Sequence, residues 1–281
     1  MRLEDIPINP NQNPEAVDPE PEYMVMPDDM ATFDPPDLDA LAGAEAVNPE
    51  AVARLHRIQA EADFHQPDHS PPRVDLIDLG DSDRRLVNDV LGEGEVSIRI
   101  DGSRVYRIQE SVLAGVWRVR EVASATGALI RDDVVIGKIP EEVEASMACD
   151  CWTALTPEPA EADAVNARAL RHELAEQVAH YTPDQGAHVI NLTLLPMMPQ
   201  DQLDLERIGR GPVTMLSRGY GNCRITGTSV RNLWRVQYFN STDQLILDTL
   251  EVVAVPSVAT AAAEDIEESS IRLREMLEQI Q

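Results

Sequence analysis

Hydrophobic and polar residues alternate in two parts of this chain, as they do along strands that bury one face. The first part predicts strands at 96–100, 105–108, 116–122 and 130–136. The second part predicts strands at 213–216, 222–226, 233–239 and 245–255. Because short connections join successive strands, each set is expected to form a four-stranded antiparallel meander.

The two sets are copies of one another. Segments 91–119 and 208–236 align without a gap at an offset of 117, and nine of their 29 positions are identical, among them Trp117 and Trp234. A short strand is predicted before each copy, at 74–79 and 189–194, followed by a helical turn near Leu86 and Leu203. A fixed offset between only two copies predicts two like units packed as an internal pseudo-dimer, not a solenoid.

Helical periodicity marks three further segments. Asn48 is a favourable N-cap and Pro49 suits the first turn, so a helix is predicted from there to a point before Pro67. Two more helices are predicted at 158–181 and 257–281. Each meander is expected to be followed by a proline and then by a closing helix. The predicted buried faces are Val52, Leu55, Ile58 and Ala62; Val165, Ala169, Leu174 and Val178; and Ile266, Leu273, Leu277 and Ile280. Meanders with helices on one face predict an α+β architecture.

These patterns divide the chain into five parts: an arm at 1–46, a helix and linker at 47–72, a repeat domain at 73–157, a linking helix at 158–186 and a second repeat domain at 187–281. The arm is rich in proline and acidic residues, and Arg2 is its only base. Such a composition predicts disorder, because too little apolar surface is available for burial. Two apolar islands, 23–26 and 33–41, are typical of segments that order on a partner or lie against the protein's own surface.

The overall charge excludes two classes of partner. The chain has 281 residues, 43% of them hydrophobic, and a formal net charge of −27. The negative electrostatic potential of such a chain would repel nucleic acid and an anionic membrane surface, so neither is expected as a partner. No apolar stretch approaches the ~20 residues that span a bilayer, and residues 1–17 lack the pattern of a signal peptide. A cytoplasmic protein without membrane insertion is therefore expected.

The residue types that carry chemistry form no recognisable catalytic signature, so we expect a protein that is not an enzyme. Cys149 and Cys151 supply at most half of a tetrahedral zinc site, and Cys223 lies in the second repeat. No stable cofactor or metal site is predicted from this spacing. A transient contact of the three cysteines with an iron–sulfur cluster stays an open alternative.

The second copy concentrates aromatic, Arg and Asn residues, which are favoured at recognition surfaces. The first copy has ordinary residues at matching positions, such as Val105 where the second has Asn222. This asymmetry predicts that the second unit binds a partner, through its sheet and the loops 219–224 and 237–241, while the first is a scaffold. The candidate residues are Tyr220, Asn222, Cys223, Arg224, Arg231, Trp234, Arg235, Tyr238 and Asn240. For Trp117 and Trp234 we favour the plainer interpretation of repeated core residues.

The stretch 208–275 resembles the C-terminal region of the HupH/HyaF/HoxQ family of [NiFe]-hydrogenase maturation proteins. The matching sequences are GRGPVTMLSRGYGNCRI, VRNLWRVQYFNS, LILDTLEVVAVP and AAAEDIEESSIRLREM, about a quarter of the chain. Among the candidates, Cys223, Arg224, Trp234, Arg235, Tyr238 and Asn240 lie within these sequences, and the resemblance adds Asp248 as a tenth candidate.

The resemblance implies a non-enzymatic accessory factor, a chaperone or scaffold for the iron–sulfur small subunit precursor before its export and assembly. A second maturation chaperone is a further possible partner. The alternative is a metal or iron–sulfur carrier that uses Cys149, Cys151 and Cys223, which requires the three thiols to converge.

Overall fold

The computed structural model describes residues 48–65, 70–157, 164–219 and 221–278. The predicted arm at 1–46 lies outside the described residues. The first unit consists of α1 (Pro49–Asp63), β1 (Arg73–Asp75), α2 (Asp81–Leu91), β2 (Val96–Asp101), β3 (Val105–Glu110), β4 (Val116–Val122), β5 (Leu129–Ile136) and α3 (Glu142–Asp150). The second consists of α4 (Val165–His180), β6 (His188–Asn191), α5 (Pro199–Glu206), β7 (Arg210–Ser217), β8 (Asn222–Thr228), β9 (Leu233–Phe239), β10 (Leu245–Val252) and α6 (Ala263–Glu278), with short 3-10 turns at Leu192–Leu194 and Ser257–Ala259. The predicted α+β class is confirmed.

All ten strands form one antiparallel sheet in the order β1-β5-β4-β3-β2-β7-β8-β9-β10-β6. Read from each edge toward the middle, the two units contribute equivalent strands in the same order. They join where β2 pairs with β7, and there Ile98 lies opposite Met215. These two residues are 117 positions apart, so each lies opposite its own counterpart in the repeat.

The eight predicted meander strands are present, with shifts of a few residues at their ends. The last strand ends at Val252 and not at 255. The two short predicted strands are shorter than expected. Asp75 ends β1, because its carboxylate accepts a hydrogen bond from the backbone N–H of Ile77 at 2.8 Å and turns the chain. Strand β6 ends at Asn191, whose side chain accepts from the N–H of Leu194 in the 3-10 turn.

Helices α1 and α4 take equivalent places at the start of the two units. In each, the backbone N–H of a fully buried alanine, Ala51 or Ala167, donates to an aspartate of the helix that follows. The acceptor is Asp83 in the first unit and Asp201 in the second. Asn48 precedes α1 as predicted, but its side chain makes no capping hydrogen bond. The repeat therefore includes the opening helices as well as the meanders.

The buried face predicted for α1 is confirmed, whereas that for α4 is partly wrong. Leu174 and Val178 are buried, but Val165 is 73% exposed and Ala169 is also exposed. Asp201 fixes the rotation of the first turn by accepting from the N–H groups at 166 and 167, both at 2.9 Å. The observed buried face is Ala167, Leu170, Arg171, Leu174 and Val178. Residues 158–163 of the predicted helix lie outside the described residues.

Helix α6 belongs to the second unit but packs against α1 of the first. Ile266, Leu273 and Leu277 are buried there, as predicted, while position 280 lies outside the described residues. Ser270 and Arg274 of α6 both donate to Asp63 of α1. The helix begins at Ala263, later than predicted, because a 3-10 turn follows Pro256.

The two faces of the sheet carry different cores. One continuous core spans both units and contains Trp117 and Trp234, both 0% exposed, packed with Val143 and Met147 of α3. The tryptophans are therefore repeated core residues, as favoured from the sequence. The other face carries two separate clusters, one under α1, α2 and α6 and one under α4.

Candidate functional site

An Arg–Asp ion pair recurs on the second face of the sheet in both units. In the first unit Arg118 Nη2 donates to Asp132 Oδ2 at 2.6 Å, and Nη1 donates to Asn88 Oδ1 at 2.6 Å. Arg84 Nε lies 3.4 Å from the same carboxylate. Asn88 and Arg84 belong to α2, so this helix covers the pair, and Asp132 is 0% exposed.

The second unit has the same pair, and none of its described helices covers it in this way. Arg235 Nη2 donates to Asp248 Oδ2 at 2.6 Å, and Nε donates to Oδ1 at 3.0 Å. The Arg235 side chain is 33% exposed, against 10% for Arg118. The pair lies on the floor of an open groove of about 710 Å³.

The groove lies between the sheet and the segment from β6 through α5. Its floor consists of polar side chains of β8, β9 and β10, and its walls are mostly aliphatic. The floor is formed by Arg224, Thr226, Thr228, Arg235, Gln237 and Asp248, and the walls include Leu192, Leu195, Met197, Leu205, Ile208, Leu245 and Ile246. Apolar walls around a few converging polar groups are typical of a binding site.

The groove is open because α5 is attached to α4 and not to the sheet. Helix α2 buries Leu86, Val87, Val90 and Leu91 against the first unit's core. Helix α5 has eight residues where α2 has eleven, and its Leu203 is 53% exposed. Its buried residues are instead carboxylates.

Those carboxylates bind α4. Arg171 Nη2 donates to the backbone oxygen of Asp204 at 3.0 Å, and Arg171 Nε donates to the Asp204 carboxylate. Both side chains are buried, as is Asp201, which binds the first turn of α4. Leaving one member of such a buried pair alone would be costly, so these contacts hold α5 away from the sheet.

Gln237 contributes an unsatisfied hydrogen-bond donor to the floor. Its side-chain oxygen accepts from Arg224 Nη2 at 3.0 Å and from Arg224 Nε at 3.3 Å, which fixes the orientation of the amide. The residue is 4% exposed, and Nε2 has no partner among the described residues. A buried donor without a partner is costly, so a ligand with an acceptor atom would be favoured here.

Exposed aliphatic side chains lie in the groove and next to it: Ile246 lines the groove, and Leu194 and Met198 each adjoin a lining residue in sequence. Leu194, Met198 and Ile246 are 78%, 59% and 56% exposed. Ile246 is the extra residue of a β-bulge, because the register shifts between Leu245 and Leu247. Ile130 occupies the equivalent bulge in the first unit and is 55% exposed, but it lies beside the closed face.

The structure separates the ten predicted binding residues into groups. Arg224, Arg235 and Asp248 lie together on the groove floor. Cys223 and Trp234 are buried in the core on the opposite face, so they present no surface to a partner. The other described candidates, none of which lines the groove, are Tyr238 at the margin of that core, Asn222 and Asn240 beside the turn before β10, and Arg231 in the turn before β9. Tyr220 lies outside the described residues.

The two segments predicted to bind as loops are largely strands. Residues 222–224 belong to β8 and residues 237–239 belong to β9. Their odd and even positions face opposite sides of the sheet, so only part of each segment can reach the groove. The candidate residues did not include Gln237, although the predicted stretch 237–241 begins with it, nor Thr226 and the wall residues Leu195 and Met197. The alternation of side chains along β8 and β9 could have identified the first two, since they share a face with Arg224 and Arg235.

The three cysteines lie at separate places. Cys149 is exposed, and Cys151 Sγ lies 3.4 Å from the backbone oxygen of Thr228, at the end of β8. Cys223 lies near the beginning of that strand, and five residues of strand span about 16 Å. Burial raises the pKa of Cys151 to about 11 and that of Cys223 to about 12. Within the described ranges no three His, Cys, Asp or Glu residues form a group that could hold a metal ion.

None of the described helices is both long and apolar enough to cross a membrane.

A family model, "HupH hydrogenase expression protein, C-terminal conserved region", matches the chain twice, at residues 47–153 and 164–280. The chain belongs to the HupH family. Both matches include an opening helix, in agreement with the equivalence of α1 and α4.

Several named relatives of the HupH family extend over nearly the whole chain. The hydrogenase expression/formation protein HupQ of Azotobacter chroococcum mcd 1 is 42% identical over 92% of both chains. HoxQ of Cupriavidus necator is 40% identical over 94% of this chain and 93% of its own, and HupH of Rhodobacter capsulatus is 41% identical over 100% and 98%. A solved structure, the hydrogenase expression protein HupH from Thiobacillus denitrificans, is 24% identical and has a TM-score of 0.38, covering 41% of this chain and 96% of that one.

Proposed function

We propose that this protein is a non-enzymatic factor in [NiFe]-hydrogenase maturation. It holds the iron–sulfur small subunit precursor in the cytoplasm, before export and assembly. Relatives that match nearly the whole chain are named hydrogenase expression/formation proteins, which supports the role in maturation. The choice of the small subunit as client comes from the family resemblance of residues 208–275.

The observation that carries the proposal is the different environment of one repeated ion pair. Arg118 and Asp132 are covered by α2, whereas Arg235 and Asp248 lie in an open groove. A binding site in one copy and a closed structural core in the other fit a protein in which one unit binds and the other supports it.

The two units form an internal pseudo-dimer in this proposal. The pseudo-twofold axis that relates the units passes through the central pair of strands, where Ile98 lies opposite Met215. Helix α6 strengthens the arrangement, because it extends from the second unit onto α1 of the first. The open unit is thereby attached along a whole strand to a closed one, which limits the movement of the groove when it binds.

The groove suits an extended or irregular segment of the client. Leu194, Met198 and Ile246 offer exposed aliphatic surface for client side chains at its rim. On the floor, Gln237 Nε2 can donate to a backbone or side-chain oxygen of the client. This combination gives affinity from apolar burial and orientation from a small number of polar contacts.

The proposal is tested by isolating the tagged full-length protein from cells that express the hydrogenase. The proteins that copurify are identified and quantified, and iron in the eluate is assayed. We expect small-subunit precursor in near-equimolar amount, with iron that follows the precursor and not the factor. Recovery of iron without any client would instead favour a carrier, and recovery of neither would contradict the proposal.

A further inference from the structure

The groove floor has a local charge opposite to that of the whole protein. Five charged residues line the groove: Arg210, Arg224, Arg235, Glu206 and Asp248. Three positive and two negative charges give a local balance of +1, whereas the chain carries −27. A ligand with carboxylates is therefore attracted to this site more than to the rest of the surface.

The floor also favours an acceptor over a donor. Gln237 Nε2 is a buried donor without a partner among the described residues, and its amide oxygen is already occupied by Arg224. An incoming carboxylate or carbonyl oxygen would satisfy this donor, whereas an incoming ammonium group would not. Together with the aliphatic walls, the floor fits a segment in which apolar and acidic residues alternate.

The equivalent space in the first unit shows one way in which it can be filled. There the chain's own α2 covers the Arg–Asp pair and buries Leu86, Val87 and Val90. The occupant in the closed unit is thus a segment of the same molecule, which contributes apolar side chains and the hydrogen-bonding Asn88. The second unit has no such cover among its described residues.

We propose that residues 33–41 of the arm, FDPPDLDAL, dock in the groove of the second unit when no partner is bound. The segment contains Phe33, Leu38 and Leu41 for the aliphatic walls, and its three aspartates can accept from Gln237 and approach the arginines. It carries no basic residue. Its two adjacent prolines restrict the free chain and so reduce the entropy lost on docking.

The length of the chain permits this contact within one molecule. Strands β5, beside α1, and β9, on the groove floor, are six positions apart in the sheet, which is about 29 Å at the usual spacing. From Phe33 to Asn48 the chain has 15 residues, which extend to about 50 Å. A tether of this length gives an effective concentration on the order of millimolar, so weak docking is sufficient to fill the groove.

This inference shares the groove with the proposed function but does not depend on the identity of the client. The arm segment would cover the exposed aliphatic rim in the free protein and leave when a client segment competes for the same surface. Such a temporary cover protects an apolar site from non-specific association.

Photo-crosslinking within the free full-length protein tests the inference. p-Benzoylphenylalanine replaces Leu38, or Val17 as a control elsewhere in the arm, and the crosslinked peptides are mapped by mass spectrometry. We expect crosslinks from position 38, and not from 17, to peptides within 192–208 and 222–250 of the same molecule. The variant Ile246→Asp should lower the yield at least fivefold, whereas its counterpart Ile130→Asp should leave it unchanged.

Both substitutions are at exposed positions, at 56% and 55%, so neither should prevent folding. Crosslinks to other surfaces, crosslinks only between two molecules, or an equal effect of both variants would overturn the inference. Because no client is present, failure of the client to copurify would leave this result unchanged, and the two proposals fail separately.

Discussion

Arg235 and Asp248 form an ion pair on the floor of an open groove, while Arg118 and Asp132, their counterparts in the first unit, form the same pair beneath a helix. The pair itself is thus a feature of the repeated sheet, and its accessibility depends on the helix above it. Helix α5 leaves the pair accessible because Asp204 binds it to α4 through Arg171.

The two ion pairs should differ in their contribution to stability. Arg118→Met leaves the fully buried carboxylate of Asp132 without its main partner, and we expect a loss of about 3 kcal/mol in the free energy of unfolding. Arg235→Met affects a partly exposed pair and should cost about 1 kcal/mol or less. Denaturant unfolding of both variants measures the difference, and equal losses would contradict the contrast between the units.

Glu110 should make stability depend on pH. Burial, with a smaller contribution from Glu95, raises the pKa of its carboxyl from 4.5 to about 7. Between these values the unfolded chain ionises first, so the free energy of unfolding falls as the pH rises through this window. A shift of this size corresponds to about 3 kcal/mol.

Glu110→Gln removes this ionisation and keeps an oxygen that can accept from the N–H of Gly115. The variant should be more stable than the wild type at pH 8 and similar to it at pH 4. Thermal unfolding at the two pH values gives the comparison. A stability difference that does not change with pH would show that the carboxyl titrates normally.

The cysteines should react with iodoacetamide in a defined order. Cys149 is exposed and should react first. Cys151 is half-buried and its pKa is raised to about 11, while Cys223 is 2% exposed and its pKa is raised to about 12. Since the thiolate is the reactive form, Cys223 should be alkylated only on unfolding. Mass spectrometry of the time course measures this, and rapid labelling of Cys223 in the native protein would contradict its position.

The meanders were predictable from the sequence because alternation and duplication are local patterns. The duplication also favoured Trp117 and Trp234 as repeated core residues, and both are fully buried. It did not reveal that β2 and β7 join the two units into one sheet, because the pairing of Ile98 with Met215 joins residues far apart in sequence. The buried face of α4 also could not be predicted from its own sequence, because Asp201 of a different helix sets the rotation of α4.

The candidate site was predictable in part. The composition of the second copy pointed to Arg224 and Arg235, and the family resemblance added Asp248; all three lie on the floor of the groove. The same reasoning also selected Cys223 and Trp234, because composition does not say which face of a strand a residue occupies. The wall residues Leu195 and Met197 are ordinary aliphatic residues, and only the position of α5 makes them part of a groove.

The most direct test of the central claim is the affinity of the purified protein for the small-subunit precursor, measured with the two matched bulge variants. Ile246→Asp places a charge at the rim of the groove, and Ile130→Asp places the same charge at the equivalent bulge of the closed unit. We predict that Ile246→Asp weakens binding at least tenfold and that Ile130→Asp leaves it within twofold of the wild type. Equal affinities for all three proteins would contradict a client site in the groove of the second unit.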